Sequence, residues 1–291
     1  MIKEKESWRK MDKKIAIITG ASSGFGLFTT LELAKKDYFV IATMRNLIKQ
    51  EDLISQATQL NLQQNIKIQQ LDVTDQNSLY NFQIFLKEIN RVDLLINNAG
   101  YANGGFVEEI PVEEYRKQFE TNFFGAISTT QLVLPYMREQ KSGKIINISS
   151  ISGQVGFPGL SPYVSSKYAL EGWSESLRLE VKPFGIDVTL IEPGSYNTNI
   201  WEVGKRLATN QSDTSSPYKE YMDKIQKHIN SGSDTFGNPI DVANKIVEIA
   251  ESKRTNLRYP IGKGVQFMIF AKKILPWRLW EYLVLRTFKK M

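Results

Sequence analysis

Short, wholly apolar runs alternate along this chain with longer stretches in which apolar residues return every three or four positions. The short runs predict strands at 15–19, 39–43, 66–70, 94–96, 144–148, 187–191 and 258–261, with helices filling the gaps. Strands that are apolar on both faces belong to parallel sheets covered on both sides, so the pattern predicts an α/β fold with seven parallel strands between two layers of helices. Sheets of this kind bind ligands outside the carboxyl ends of their strands. Asn98 to Gly100, Ser150 and Pro193-Gly194 each follow a strand directly.

At 291 residues and 42% hydrophobic, the chain can bury a full core as one domain. That domain is expected over 13–264, preceded by a charged extension over 1–12 and followed by an amphipathic tail over 265–291 that belongs to the same unit. The extension lacks the apolar run of a secretory signal, so a cytoplasmic protein is expected. With no cysteine and a single histidine, His228 in a polar stretch, no metal site is expected. The net charge of +6 is scattered except in the last thirty residues, which speaks against nucleic-acid binding. In the tail, apolar and aromatic residues are interrupted by Lys272, Lys273, Arg278, Arg286 and Lys289, too short and too charged a pattern to span a bilayer. Trp280, Leu283 and Val284 would share a helical stripe, while Leu285 falls among the charges. Two readings stay open for it: a lid over a pocket or a contact with another subunit, and peripheral contact with a membrane surface.

Tyr163 and Lys167 lie four residues apart, and Ser150 precedes Tyr163 by thirteen. On a helix, i and i+4 share a face, so the Lys167 ammonium is expected beside the Tyr163 phenol, favouring its ionised form. A phenol that exchanges protons near neutrality must become more acidic by roughly three pH units, on the order of 4 kcal/mol. Ser150 would hold the reacting oxygen. Near the amino terminus, the strand ending at Thr19 leads into Gly20-Ala21-Ser22-Ser23-Gly24-Phe25-Gly26 and then a helix. Such a turn lets the backbone approach a pyrophosphate and offers it the free amides of the helix start. No Gly-Lys-Ser/Thr follows, which argues against a nucleoside-triphosphate loop.

From these motifs the chain is identified as similar to the short-chain dehydrogenase/reductase family, over about 13–264, with wording closest to the branch of retinol and 17β-hydroxysteroid dehydrogenases. The family's glycine motif is matched by Thr19, Gly20, Gly24 and Gly26, and its acidic residue after the third strand by Asp72 with Val73. Asn97, Asn98, Ala99 and Gly100 match its N-N-A-G, and Asn122 its helix asparagine. Tyr163 and Lys167 match Y-x-x-x-K; Pro193, Gly194 and Thr198 match P-G-x-x-x-T.

The resemblance implies a doubly wound Rossmann fold. It implies hydride transfer between a nicotinamide cofactor and a carbonyl or alcohol, with aldehyde or ketone reduction the expected direction. Tyr163 would be the acid or base and Ser150 would position the oxygen. Lys167 would also hold the nicotinamide ribose, and Asn122 a water linked to Lys167. Ser22, Ser23 and Phe25 would join the cofactor-binding turn. At the end of the second strand, Met44 stands where an acid would bind the ribose of NAD, and Arg45 follows it, so NADP is favoured over NAD. Tyr101, Val155, Phe157, Tyr196 and Trp201 suggest a pocket for a lipophilic substrate. A homodimer or homotetramer is expected through the helices of Asn122 and Tyr163, with Phe119, Phe123, Leu170 and Trp173 in contact. The alternative class is an NADP(H)-binding sensor without turnover, against which the intact Ser150, Tyr163 and Lys167 speak.

Overall fold

The computed structural model describes residues 13–198, 200, 216–224 and 236–290, the side chains of 288–290 excepted. Trp201 and His228 lie outside the described residues, as do the 1–12 extension and most of 201–235. Seven strands form one sheet: β1 (Ile15–Ile18), β2 (Phe39–Met44), β3 (Ile66–Gln70), β4 (Leu94–Asn97), β5 (Gly143–Ile148), β6 (Ile186–Pro193) and β7 (Arg258–Ile261). Their order is β3-β2-β1-β4-β5-β6-β7, and every pairing is parallel. The predicted fold class therefore stands. The largest boundary difference is at β6, which runs on to Pro193 because Pro193 still aligns with Ile261 of β7.

Side-chain alternation divides the core. Ala16 and Ile18 of β1 join Val40, Ala42, Leu94 and Ile96 on one face, under α1 (Gly24–Lys35), α2 (Glu51–Gln59) and α7 (Pro239–Glu251). Ile15 and Ile17 join Ile41, Leu95, Ile145 and Val188 on the other, under α3 (Gln76–Ile89), α5 (Gly125–Gln140) and α6 (Ser161–Val181). Burying an aliphatic side chain of this size contributes about 1.5–3 kcal/mol, which is why strands apolar on both faces need both helix layers. Helix starts follow local chemistry. The Asp75 carboxylate accepts from the Ser78 amide at 2.7 Å, and Asn238 caps α7 ahead of Pro239. Between α4 (Val112–Phe119) and α5 the chain makes one wide π turn, Glu120–Phe124, and Asn122 sits inside it.

Beneath the carboxyl ends of β4 and β5 a buried polar network spans the sheet and two helices. Asn97 Nδ2 donates to Thr130 Oγ1 (2.9 Å) and to Asn147 Oδ1 (2.8 Å), while Thr129 Oγ1 donates to Asn97 Oδ1 (2.6 Å). Asn147 Nδ2 donates to Ser174 Oγ of α6 at 2.8 Å. These bonds fix α5 and α6 against the strand ends. The two last helices, α8 (Val265–Ile274) and α9 (Trp277–Lys290), pack Val265, Ile269 and Trp280 against Val155 in a separate small core. Asn147→Ala removes the acceptor for Asn97 and the donor to Ser174 inside a closed core. It is expected to cost about 1–3 kcal/mol, read as a lower urea midpoint at unchanged slope.

Candidate active site

The strand order reverses between β1 and β4, and the loops after these two strands are bonded to each other at that point. Thr19 Oγ1 accepts from the amides of Asn98 (2.9 Å) and Ala99 (3.0 Å); Asn98 Nδ2 donates to the carbonyls of Thr19 (2.8 Å) and Gly20 (2.9 Å). This close approach explains two glycines. A Cβ on Gly20 would stand 2.9 Å from Ala99 Cα, at a φ of +71° that side chains rarely adopt. One on Gly26 would stand 2.6 Å from Asn98 Nδ2. Ser23, the residue before α1, is extended and puts no side-chain oxygen on the first amides of the helix, whose first turn holds no acid. The helix start thus presents bare donors and positive polarity to the cavity beside it, as a pyrophosphate requires.

That cavity has a volume of about 1860 Å³, well above the roughly 300–1,000 Å³ of a typical small-molecule pocket, so it can hold a dinucleotide and a second molecule together. Of the residues predicted to bind the cofactor, it is lined by Gly20, Ser22, Ser23, Gly24, Phe25, Arg45, Asp72, Val73, Asn98, Ala99, Gly100, Tyr163, Lys167, Pro193, Gly194 and Thr198. Gly26 is not among the lining residues: it is buried behind the turn, where it permits packing. Tyr101, Phe157 and Tyr196 line the cavity as expected, but Val155 does not, being fully buried beneath the tail helices. Asp72 accepts from Thr74 N (3.0 Å) and Oγ1 (2.8 Å), and Arg45 Nε lies 3.9 Å from Asp72 Oδ2 at the rim. Residues of the tail line the same cavity, among them Met268, Leu275, Trp280 and Val284.

Ser150, Tyr163 and Lys167 meet on the wall of this cavity. Tyr163 and Lys167 point inward on the buried stripe of α6, 4% and 5% exposed. Lys167 Nζ donates to the Ile148 carbonyl at 2.7 Å and lies 5.7 Å from the centroid of the Tyr163 ring. Burial pushes the phenol up to about 12, partly opposed by a hydrogen bond from Ser150, and burial pulls Lys167 down to about 8, partly opposed by the charge of Glu171. In the protein alone, burial sets the direction for the phenol, and Ser150 is the group that opposes it. Ser150 Oγ accepts from the Ser152 amide at 3.1 Å, which fixes the hydroxyl toward Tyr163. Asn122 is 2% exposed and does not line the cavity. Its amide donates to the Tyr101 carbonyl (2.9 Å) and Ser166 Oγ (3.2 Å) and accepts from the Tyr101 amide (3.1 Å). It anchors the loop after β4 to α6. Leu170, expected at a subunit contact, is instead buried inside the chain with Ala126 and Leu190.

The model for short chain dehydrogenases matches residues 14–206, and the chain belongs to that family of nicotinamide-dependent oxidoreductases. It is 49% identical over 272 residues to an uncharacterized oxidoreductase, YusZ, of Bacillus subtilis, covering 93% of this chain and 97% of that one. It is 36% identical over 283 residues to the 3-ketodihydrosphingosine reductase of Bacteroides thetaiotaomicron, covering 96% and 98%. Among solved structures it superimposes on ElxO with NADP bound at a TM-score of 0.71 and 29% identity, over 88% of this chain and 99% of that one.

A charged cluster that the sequence did not suggest lies directly behind Ser149 and Ser150. Glu171 of α6 and Glu192 of β6 are 4% and 0% exposed and share one arginine. Arg258 Nε stands 2.8 Å from Glu171 Oε2 and 3.6 Å from Glu192 Oε1, and the Gln154 amide also donates to Glu192. Ser149 hydrogen-bonds to Glu171, and a hydrogen bond between Glu192 and Glu171 requires one of the two carboxyls to keep its proton. Burial, with Glu171 beside it, pushes Glu192 up to about 7. A folded pKa above the unfolded value of 4.5 means that the fold holds this proton more tightly than the open chain. The stability it brings is fully present below about pH 4.5 and is lost as pH rises through about 7. Glu192→Gln resembles the protonated acid. The wild-type melting temperature should fall from about pH 5 to about pH 8, and that of the variant should fall less, a difference on the order of 1–2 kcal/mol. Equal slopes in the two proteins would place the titrating proton elsewhere.

Proposed function

We propose that this chain is an NADP-dependent reductase of lipophilic aldehydes or ketones, reversible toward the alcohols. One observation carries the reading: a single cavity runs from a phosphate-binding turn, past Ser150, Tyr163 and Lys167, to an apolar end lined by the tail helices. When bound, NADPH supplies the hydride. The turn after β1 and the start of α1 would hold its pyrophosphate, Asp72 and Val73 would flank the adenine side, and Pro193, Gly194 and Thr198 would border the nicotinamide end. Lys167 is placed to hold the nicotinamide ribose. Ser150 binds the substrate oxygen, and Tyr163 passes its hydroxyl proton to that oxygen as the carbonyl becomes an alcohol. In the reverse direction it takes the proton back. Asn122 acts through position, by holding Tyr101 and α6 in register.

Arg45 supports the choice of NADP. It is exposed at the end of β2, no acid precedes it, and its guanidinium borders the cavity where a 2′-phosphate would accept charge-assisted hydrogen bonds. The NADP-bound relative of the same fold agrees. A lipophilic substrate is supported by the apolar end of the cavity, and a long-chain keto compound by the related 3-ketodihydrosphingosine reductase. Self-association as a homodimer or homotetramer through α5 and α6 belongs to the same reading. Phe124, 46% exposed, takes the place there that Leu170 cannot fill.

Tyr163→Phe should lower turnover of long-chain ketones by about 10²–10⁴-fold while NADPH affinity stays within a few-fold. Activity within tenfold of wild type would remove Tyr163 from the proton path. Arg45→Asp should shift the ratio of catalytic efficiencies from NADP toward NAD by at least about tenfold, since a charge-assisted bond worth roughly 1.5–3 kcal/mol is replaced by repulsion. An unchanged ratio would refute the cofactor assignment.

A further inference from the structure

The tail helices have two unlike sides. Inward, Val265, Ile269 and Trp280 are buried, and Met268, Leu275 and Val284 line the apolar end of the cavity. Outward on α8, Phe267, Phe270 and Ile274 fall at i, i+3 and i+7 and form one stripe, 75%, 60% and 61% exposed. Trp277, 61% exposed, continues it past Pro276, and Tyr282 and Leu285 are bare on α9. An apolar and aromatic stripe of this length is not a property of a surface that meets only water.

Its charge is as one-sided as its hydrophobicity. Residues 265–290 hold six basic side chains against one acid, Glu281, in a chain whose net charge is +6. The cations border the stripe. Lys272 Nζ lies 4.4 Å from the Trp277 ring centroid, and Lys273, Arg278 and Arg286 are exposed. Aromatic rings flanked by lysines and arginines suit the boundary between acyl chains and anionic headgroups, where the rings bury and the cations stay at the phosphates. No helix among the described residues is long and apolar enough to cross a membrane, so the geometry is that of helices lying in the interface. Phe267 belongs to both sides, bare on the stripe and lining the cavity.

We propose that α8 and α9 form a docking surface for an anionic phospholipid bilayer, with Phe267, Phe270, Ile274 and Trp277 among the acyl chains. The lipophilic substrate then enters the cavity from that bilayer beside Phe267. The entry route rests on the reductase reading; the docking does not. Phe270 and Ile274 do not line the cavity, which makes them the variants of choice.

The full chain should co-sediment with vesicles of phosphatidylglycerol in phosphatidylcholine at least about tenfold more strongly than with phosphatidylcholine alone, and added salt should weaken it. Phe270→Ser with Ile274→Ser should lose at least about tenfold of that binding, with turnover of a short, water-soluble carbonyl unchanged without vesicles. Lys273→Glu with Arg278→Glu should abolish the preference for the anionic lipid. Wild-type protein that stays in the supernatant overturns the proposal, as does undiminished binding by the serine variant. Loss of oligomer mass in the serine variant by light scattering, with vesicle binding intact, would make this face a contact between copies instead. A wild type that binds vesicles but turns over no carbonyl would strike the reductase reading and leave the docking standing.

Discussion

Helix α6 places its chemistry and its anchorage on the same stripe, and most of the site follows from that. Tyr163, Ser166, Lys167, Leu170, Glu171, Ser174, Leu177 and Val181 are all buried, singly or as adjacent pairs that return every three or four residues. Leu170, Leu177 and Val181 each contribute about 1.5–3 kcal/mol of apolar burial, enough to offset polar groups drawn in with them only if those groups find partners. They do: Lys167 on the Ile148 carbonyl, Ser166 on Asn122, Ser174 on Asn147 and Glu171 on Arg258. A helix held this way cannot roll without breaking several buried bonds together, so the positions of Tyr163 and Lys167 inherit the rigidity of the sheet.

The same burial sets the electrostatics. Both members of the pair are driven toward their neutral forms, the phenol up and the ammonium down, because desolvation acts against whichever form carries charge. Behind them, Glu171 and Glu192 meet one half-buried arginine, which also holds the exposed Glu175, and a retained proton resolves the imbalance. Glu171 also opposes the loss of charge on Lys167, so the two buried groups on α6, one turn apart, are electrostatically linked. Two carboxyls are tolerated at this depth because β6, β7 and α6 each supply a member of the cluster, and Arg258 carries its charge from them toward the surface.

The strands were legible because a parallel sheet covered on both faces demands uninterrupted apolar runs, and few other structures do. The glycine turn after β1 was legible because glycine spacing is itself the steric requirement, although Gly26 packs against Asn98 and does not line the cavity. What resisted reading depends on distance along the chain. Arg258 lies 87 residues from Glu171, and no local pattern announces that they meet. Leu170 and Val155 were misplaced for a related reason: apolarity reveals that a residue is covered, but not whether its cover comes from a partner, a ligand or the chain itself. Spacing gives the proximity of Lys167 and Tyr163, while the burial that raises the phenol is a property of the whole fold.

For a reductase the resulting balance has a direction. With its phenol pushed up to about 12, Tyr163 is protonated across the physiological range, which is the form that donates to a carbonyl oxygen. Lys167, near 8, keeps most of its charge at neutrality, and raising the pH would discharge it before the phenol ionised. Alkali therefore does not turn the unliganded site into a good base, because it removes the Lys167 charge that would favour a phenolate. The depth of α6 thus keeps the Tyr163 hydroxyl protonated, the form that the proposed reduction would use.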